Sequence, residues 1–247
     1  MRGLKKLLAS TAPCHLRGRG ASRRFETRDG CRLRGVTKRL ASRTFSRGAL
    51  PFSATHGGSR GAYWQGDRGG LRRGSAVDTQ VSRLSGVSEA KRQSSRMLVL
   101  SRHFFAYLAS RNLTPICGQR GVCSAARRVG TAVDVVAFDA AKMSLVLLEL
   151  KCGYSGDRTA PAFDQDGTCS MRGAVRRAAD CVLNRHFAQL AATLALFTQE
   201  STTQARLKQM GVSTSAMLVY CSNDAVDAYE LPRWWQRRGA ALLADLR

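Results

Sequence analysis

The sequence predicts two unlike parts: a disordered basic arm over residues 1–93, and an α/β domain of the α+β kind over residues 94–247, with helices flanking a mixed sheet. Three observations predict this. The 247 residues hold 40 Lys+Arg against 17 Asp+Glu, a formal charge of +23, but residues 1–100 hold 22 basic and 5 acidic side chains, whereas residues 101–247 hold 18 and 12. Of 23 glycines, 14 precede residue 90, in a stretch without sustained apolar periodicity. Such a stretch buries too little surface to offset the entropy of ordering it. Beyond residue 94, apolar side chains fall into helix-like and strand-like periods in turn.

Composition excludes several classes. Nearly uninterrupted apolar runs such as Leu145–Leu148 and Leu190–Phe197 fall far short of the roughly 20 residues that span a bilayer, so no membrane partner is expected. Collagen, coiled coil and a small disulfide scaffold also fail on composition. The eight cysteines contain no C-x-x-C pair and read as free thiols rather than a zinc or redox motif.

From Met1 to Arg24 there is no acid, and Arg2, Lys5, Lys6, Arg17, Arg19, Arg23 and Arg24 are interleaved with Leu4, Leu7 and Leu8. That pattern predicts an organellar transit peptide over residues 1–25, with a mitochondrion or other organelle as the destination and the nucleus as the alternative. A flexible arm of this charge is expected to attract polyanions through phosphate neutralisation.

In the folded part, Met97, Leu98, Leu100, Phe104, Tyr107 and Leu108 predict a helix over residues 94–110. Asn112, Pro115 and Gly118 then break the pattern, and residues 121–128 have no clear state. Thr131–Phe138 and Ser144–Lys151, joined by a short polar link, predict an antiparallel hairpin. Residues 153–172 read as loop. Phe187, Leu190, Ala191, Leu194 and Ala195 predict an amphipathic helix over 185–200. Thr214–Cys221 and Val226–Leu231 read as strands, and Pro232 stops the second and opens a last helix containing Trp235, Leu242 and Leu243.

The hairpin carries the chemistry. Alternate side chains share a face, so Glu149 and Lys151 are neighbours at the end of a strand otherwise made of leucine and valine. Asp134 is the charged residue of the first strand. If paired residue numbers sum to 283, Asp134 lies opposite Glu149; sums of 281 or 285 leave them diagonal, and an even sum puts them on opposite faces. Two converging carboxylates with a lysine beside them suit a hard cation, Mg2+ or Mn2+, that keeps several waters.

Gly130-Thr131-Ala132-Val133-Asp134 followed by Glu149-Leu150-Lys151 resembles the PD-(D/E)XK nuclease superfamily, in its RecB-like and lambda-exonuclease-like branches. The resemblance covers about residues 95–235. It implies a restriction-endonuclease-like core with α-β-β-β-α-β order, in which Asp134 and Glu149 hold the metal together with the backbone carbonyl of Leu150. It further implies that Lys151 is the catalytic lysine and that Gln189, on the following helix, contacts the site or the DNA. Thr193 stands where RecB-like members carry a Tyr. His103 is the candidate for the upstream motif. Arg172, Arg176, Arg177, Arg185 and His186 are candidate nucleic-acid contacts.

The expectation is therefore a Mg2+-dependent deoxyribonuclease, an exonuclease in the narrower reading, acting in DNA repair, recombination or organellar genome maintenance, with RNA as the alternative substrate. Two rivals are a catalytically inactive nucleic-acid-binding protein of the same fold and an unrelated organellar RNA-associated basic protein.

Overall fold

Long runs of valine and leucine in the middle of the chain need cover on both sides, and the fold supplies it with two helical layers. The computed structural model describes residues 2–17, 24–50, 69–152, 154 and 157–246. Helix α1 (Arg2–Thr11) leads into the short strands β1 (Cys14–Arg17), β2 (Arg24–Thr27) and β3 (Arg32–Gly35), then α2 (Val36–Arg43). Helices α3 (Gly69–Ser85), α4 (Glu89–Gln93) and α5 (Val99–Ser110) precede three strands in succession, β4 (Leu113–Ser124), β5 (Val129–Asp139) and β6 (Ser144–Cys152). A two-residue hairpin, β7 (Phe163–Asp164) and β8 (Gly167–Thr168), is followed by α6 (Val182–Thr198), α7 (Ser201–Gln209), β9 (Ser213–Cys221), β10 (Val226–Glu230) and α8 (Arg233–Asp245).

The sheet has eight strands in the order β1-β2-β3-β5-β6-β9-β10, with β4 paired to β5 on its other edge. It is mixed: β5–β6 and β4–β5 are antiparallel, while β6–β9 and β3–β5 are parallel. One apolar cluster joins the sheet to α1, α2, α6, α7 and α8 through Leu8, Leu40, Phe187, Leu207 and Leu242. A second, on the opposite face, joins it to α3 and α5 through Val81, Leu84, Phe104 and Leu108. None of the helices among the described residues is long and apolar enough to cross a membrane.

The hairpin register positions the site. Val135 pairs with Leu148 and Val136 with Leu147, so paired numbers sum to 283. On the same edge of β5, residues 129 and 130 pair with β3, and the ladder with β6 begins only at Val135. Residues 131–134 lie in the notch where β3 and β6 diverge.

The disordered arm expected over residues 1–93 is corrected by the structure for the described residues. Leu4, Leu8, Val36 and Leu40 are buried in the core, and β1–β3 extend the sheet. Helices α1 and α2 bury two side chains each and β1–β3 one each, too few to register as periodicity. Arg19, Arg23 and residues 51–68 of the arm lie outside the described residues, as do Gly153 and Gly156 of the expected loop.

Strand β4 also escaped the sequence reading, because Pro115, Gly118 and Gly121 look like breakers. Pro115 sits at a register shift in the β4–β5 ladder, where a missing N–H is tolerated. The glycines permit close crossings: a Cβ on Gly121 would lie 2.2 Å from the Cys14 carbonyl oxygen, and one on Gly118 would lie 2.5 Å from Ser82 Cα. The two expected helices are otherwise shifted, to Val99–Ser110 and Val182–Thr198.

Candidate active site

Asp134, Glu149, Lys151 and Gln189 meet at the notch. Because the ladder ends one pair short of Asp134, the Leu150 N–H has no strand carbonyl opposite it there, and the Asp134 Oδ2 accepts it at 2.8 Å. Glu149 and Lys151, two residues apart on β6, project to the side covered by α6. Lys151 Nζ donates to Glu149 Oε1 at 2.6 Å and to Gln189 Oε1 at 3.2 Å. Gln189 Nε2 donates to the same Glu149 Oε1 at 2.6 Å. Thr193, one turn on, spends its hydroxyl on the Gln189 carbonyl at 2.9 Å.

Two further residues belong to the group and were not foreseen. Gln119 sits in β4 with φ of 50°, and its amide donates to Asp78 Oδ1 at 2.6 Å and Asp134 Oδ1 at 3.2 Å. Asp78 comes from α3, inside the segment read as disordered. Its only sequence signal is position: an acid in an arm holding 5 acids among 21 bases. Gln119 gave none, since its left-handed backbone conformation has no signal in the neighbouring residues.

Two carboxylates, Asp134 and Glu149, thus flank one ammonium in a nearly closed site, where the side chains of Glu149 and Lys151 are 4% and 16% exposed, and Asp78 stands behind Asp134 across the Gln119 amide. Burial, then the neighbouring Glu149 and Asp78, drives the Asp134 pKa well above the usual carboxylate value. Burial opposes the charge on Lys151, but Glu149 and Asp134 outweigh it and hold that pKa above the ordinary lysine value. The surplus negative charge and the hard oxygen donors of Asp134 and Glu149 fit a divalent cation such as Mg2+. Among the described residues no three His, Cys, Asp or Glu side chains form a complete cage, so such an ion would draw on two carboxylates and a backbone oxygen, that of Leu150 being the adjacent one.

Beside Lys151 lies an aromatic cluster. His186 Nδ1 is 2.7 Å from the Tyr220 hydroxyl, and its ring meets Tyr154 edge-on at 4.9 Å. Burial, then Lys151, Arg185 and Arg158, push the His186 pKa well below its usual value, so this imidazole is neutral at pH 7. Arg158 stacks over Tyr220 at 4.2 Å and pairs with Asp227 at 2.8 Å.

The other sequence-selected residues are placed elsewhere. His103, on α5, has Nδ1 at 3.3 Å from the Ser222 carbonyl oxygen, in the helical layer on the opposite face of the sheet. Arg185 grips the buried Asp180 with two bonds of 2.6 and 3.0 Å and lies over Phe45. Arg172 donates to the carbonyls of Ser42 and Phe45. Both act as internal braces. Arg176 and Arg177 are exposed.

No protein-family model, characterised protein or solved structure matches the chain.

Proposed function

We propose that the protein is a metal-dependent nuclease of the PD-(D/E)XK type that hydrolyses DNA phosphodiester bonds, working from strand ends in repair, recombination or organellar genome maintenance. The observation that carries this reading is the convergence of Asp134, Glu149, Lys151 and Gln189 on one notch. The succession α5-β4-β5-β6-α6-β9 supports it, since the superfamily core has that order.

A bound Mg2+ or Mn2+ would acidify a water and offset the charge that builds on the attacked phosphate. The chain's own residues do the rest. Asp134 and Glu149 present oxygens for the ion from two adjacent strands, and Gln189 fixes the Glu149 carboxylate. Lys151, held against Glu149 and Gln189, would orient or help deprotonate the attacking water and offset negative charge in the transition state. Asp78 and Gln119 hold Asp134 from behind and act as positioning residues.

The test incubates purified protein with end-labelled DNA, and in parallel RNA, with Mg2+, Mn2+ or EDTA. Cleavage that needs the metal and is lost in both Asp134→Ala and Lys151→Ala supports the reading. Cleavage indifferent to both substitutions defeats it, and binding without any cleavage favours an inactive nucleic-acid-binding protein of this fold.

The organellar destination is likewise a proposal. It carries a structural condition, because removal of residues 1–25 would strip Leu4 and Leu8 from the core.

A further inference from the structure

A concave surface of about 1310 Å³ opens beside β3, α2 and the turn between β4 and β5. It is lined by Arg32 and Arg34 from β3, Lys38 and Arg39 from α2, and Arg127 and Arg128 from the turn, with no acidic side chain in its wall. Arg24 also lines it but is paired with Glu26 at 2.7 Å. Among the described residues, the Nε atoms of Arg39 and Arg127 are buried and have no hydrogen-bond partner. The elements are braced against each other: the Arg34 N–H donates to the Arg128 carbonyl at 2.9 Å, and Arg34 and Gly35 pair with Val129 and Gly130.

Like charges brought together this closely repel, and buried guanidinium donors left without acceptors cost stability. A polyanion removes both penalties. The cations are spread over a strand, a helix and a turn, more than one phosphate group can reach, which calls for a repeating anion. A lipid surface is flat and meets only the rim of a recess, and surface-bound helices add an apolar face. The large exposed apolar side chains among the described residues, Met143, Phe163 and Met210, all lie elsewhere. The half-buried Phe25 in the wall offers a ring on which a base can stack.

We propose that this cleft seats a single strand of nucleic acid and leads it toward the notch, Arg128 in its wall being six residues, about 20 Å of extended chain, from Asp134. The choice of nucleic acid as the polyanion rests on the nuclease reading above; the binding itself does not need catalysis.

The experiment uses the full chain in EDTA, so that no hydrolysis occurs, and follows the anisotropy of a labelled oligothymidylate over a KCl series. The triple variant Arg32→Gln, Arg34→Gln, Lys38→Gln is expected to weaken binding about tenfold or more at low salt and to flatten the log–log salt slope by about 2, at roughly 0.7 per lost phosphate contact. A control with the same charge change on exposed residues of α7 and α8, Arg206→Gln, Lys208→Gln, Arg237→Gln, should bind as the parent does. The charge-conserving pair Arg32→Lys, Arg34→Lys should retain binding, and circular dichroism checks that all variants fold. Equal losses in both triples, or none in the cleft triple, would overturn the proposal, as would a cleft triple that loses binding to phosphatidylserine vesicles but not to the oligonucleotide. A chain that binds through the cleft but never cleaves sinks the nuclease reading alone, and one that cleaves while the cleft triple binds normally sinks this one alone.

Discussion

Two of the buried groups of charge in this molecule are built on opposite plans. Arg120 on β4 and Glu200, at the N-terminal end of α7, form a pair with bonds of 2.9 and 2.6 Å and side chains 2% and 7% exposed. Arg120 also reaches the Leu8 carbonyl of α1 at 3.3 Å and lies over the Phe197 ring, while Thr203 donates to Glu200 at 2.9 Å. One cation meets one anion, and the remaining donors have acceptors. At the notch, Asp134 and Glu149 share Lys151. Buried charge that the chain balances itself is scaffold, here the rivet that fastens α1 to the sheet. Buried charge left in surplus points to something from outside the chain.

The contrast can be broken first at the rivet. Arg120→Met leaves the Glu200 carboxylate buried without its partner and is expected to cost about 3–5 kcal/mol in urea unfolding. Replacing both, Arg120→Met with Glu200→Leu, should recover most of that loss, because two apolar groups bring no desolvation penalty. If the double variant is as unstable as the single one, the pair is not self-contained and the contrast fails.

At the notch the larger effect should fall on activity rather than on folding. On the proposed nuclease reading, Lys151→Met removes the ammonium that would face the reacting phosphate and should slow cleavage on the order of 100- to 1000-fold, with binding to the oligonucleotide in EDTA largely kept. Gln189→Leu tests positioning. It frees Glu149 and Lys151 from their shared clamp, and rescue by Gln189→Asn is not expected, since the shorter amide cannot span to both.

The hairpin was legible in the sequence because its information is local: two runs of β-branched and aliphatic residues, a short link, and charges at one end. Placing the acids on one face limited the pairing sum to odd values, 281, 283 or 285, and the observed pairing is 283. Asp78 and Gln119 were not legible, because their proximity to Asp134 depends on α3 crossing β4 where Gly118 has no side chain, a contact between segments 40 residues apart in the chain. The N-terminal elements were hidden for a related reason. Leu4 and Leu8 bury themselves against strands that follow more than 100 residues later, and the stabilisation they gain appears nowhere in their own neighbourhood. Arg172 and Arg185 looked like a phosphate track and turned out to brace carbonyls and Asp180, since composition cannot distinguish a cation that faces water from one that faces its own backbone.

The smallest expected effect is also the one that isolates the surplus charge. Burial and the adjacent carboxylates raise the Asp134 pKa in the folded chain, so without divalent metal the folded state holds a proton that the unfolded chain releases. The sign follows from linkage: below about pH 4 Asp134 is protonated in both states and costs nothing, and as the pH rises the unfolded chain ionises first, so wild-type stability falls. Asp134→Asn removes that dependence, and its carboxamide oxygen can still accept the Leu150 N–H. In EDTA at pH 7 the variant is therefore expected to be the more stable protein, by on the order of 1 kcal/mol, with the advantage vanishing toward pH 4. Saturating Mn2+ should reverse the order, since a ligand at 100 times its dissociation constant stabilises the wild type by about 2.7 kcal/mol and has lost one of its carboxylates in the variant. Thermal melts of both proteins at pH 4 and 7, with and without Mn2+, check this. A variant that is less stable than wild type at pH 7 in EDTA would mean that the chain, like the Arg120–Glu200 rivet, already balances the notch by itself.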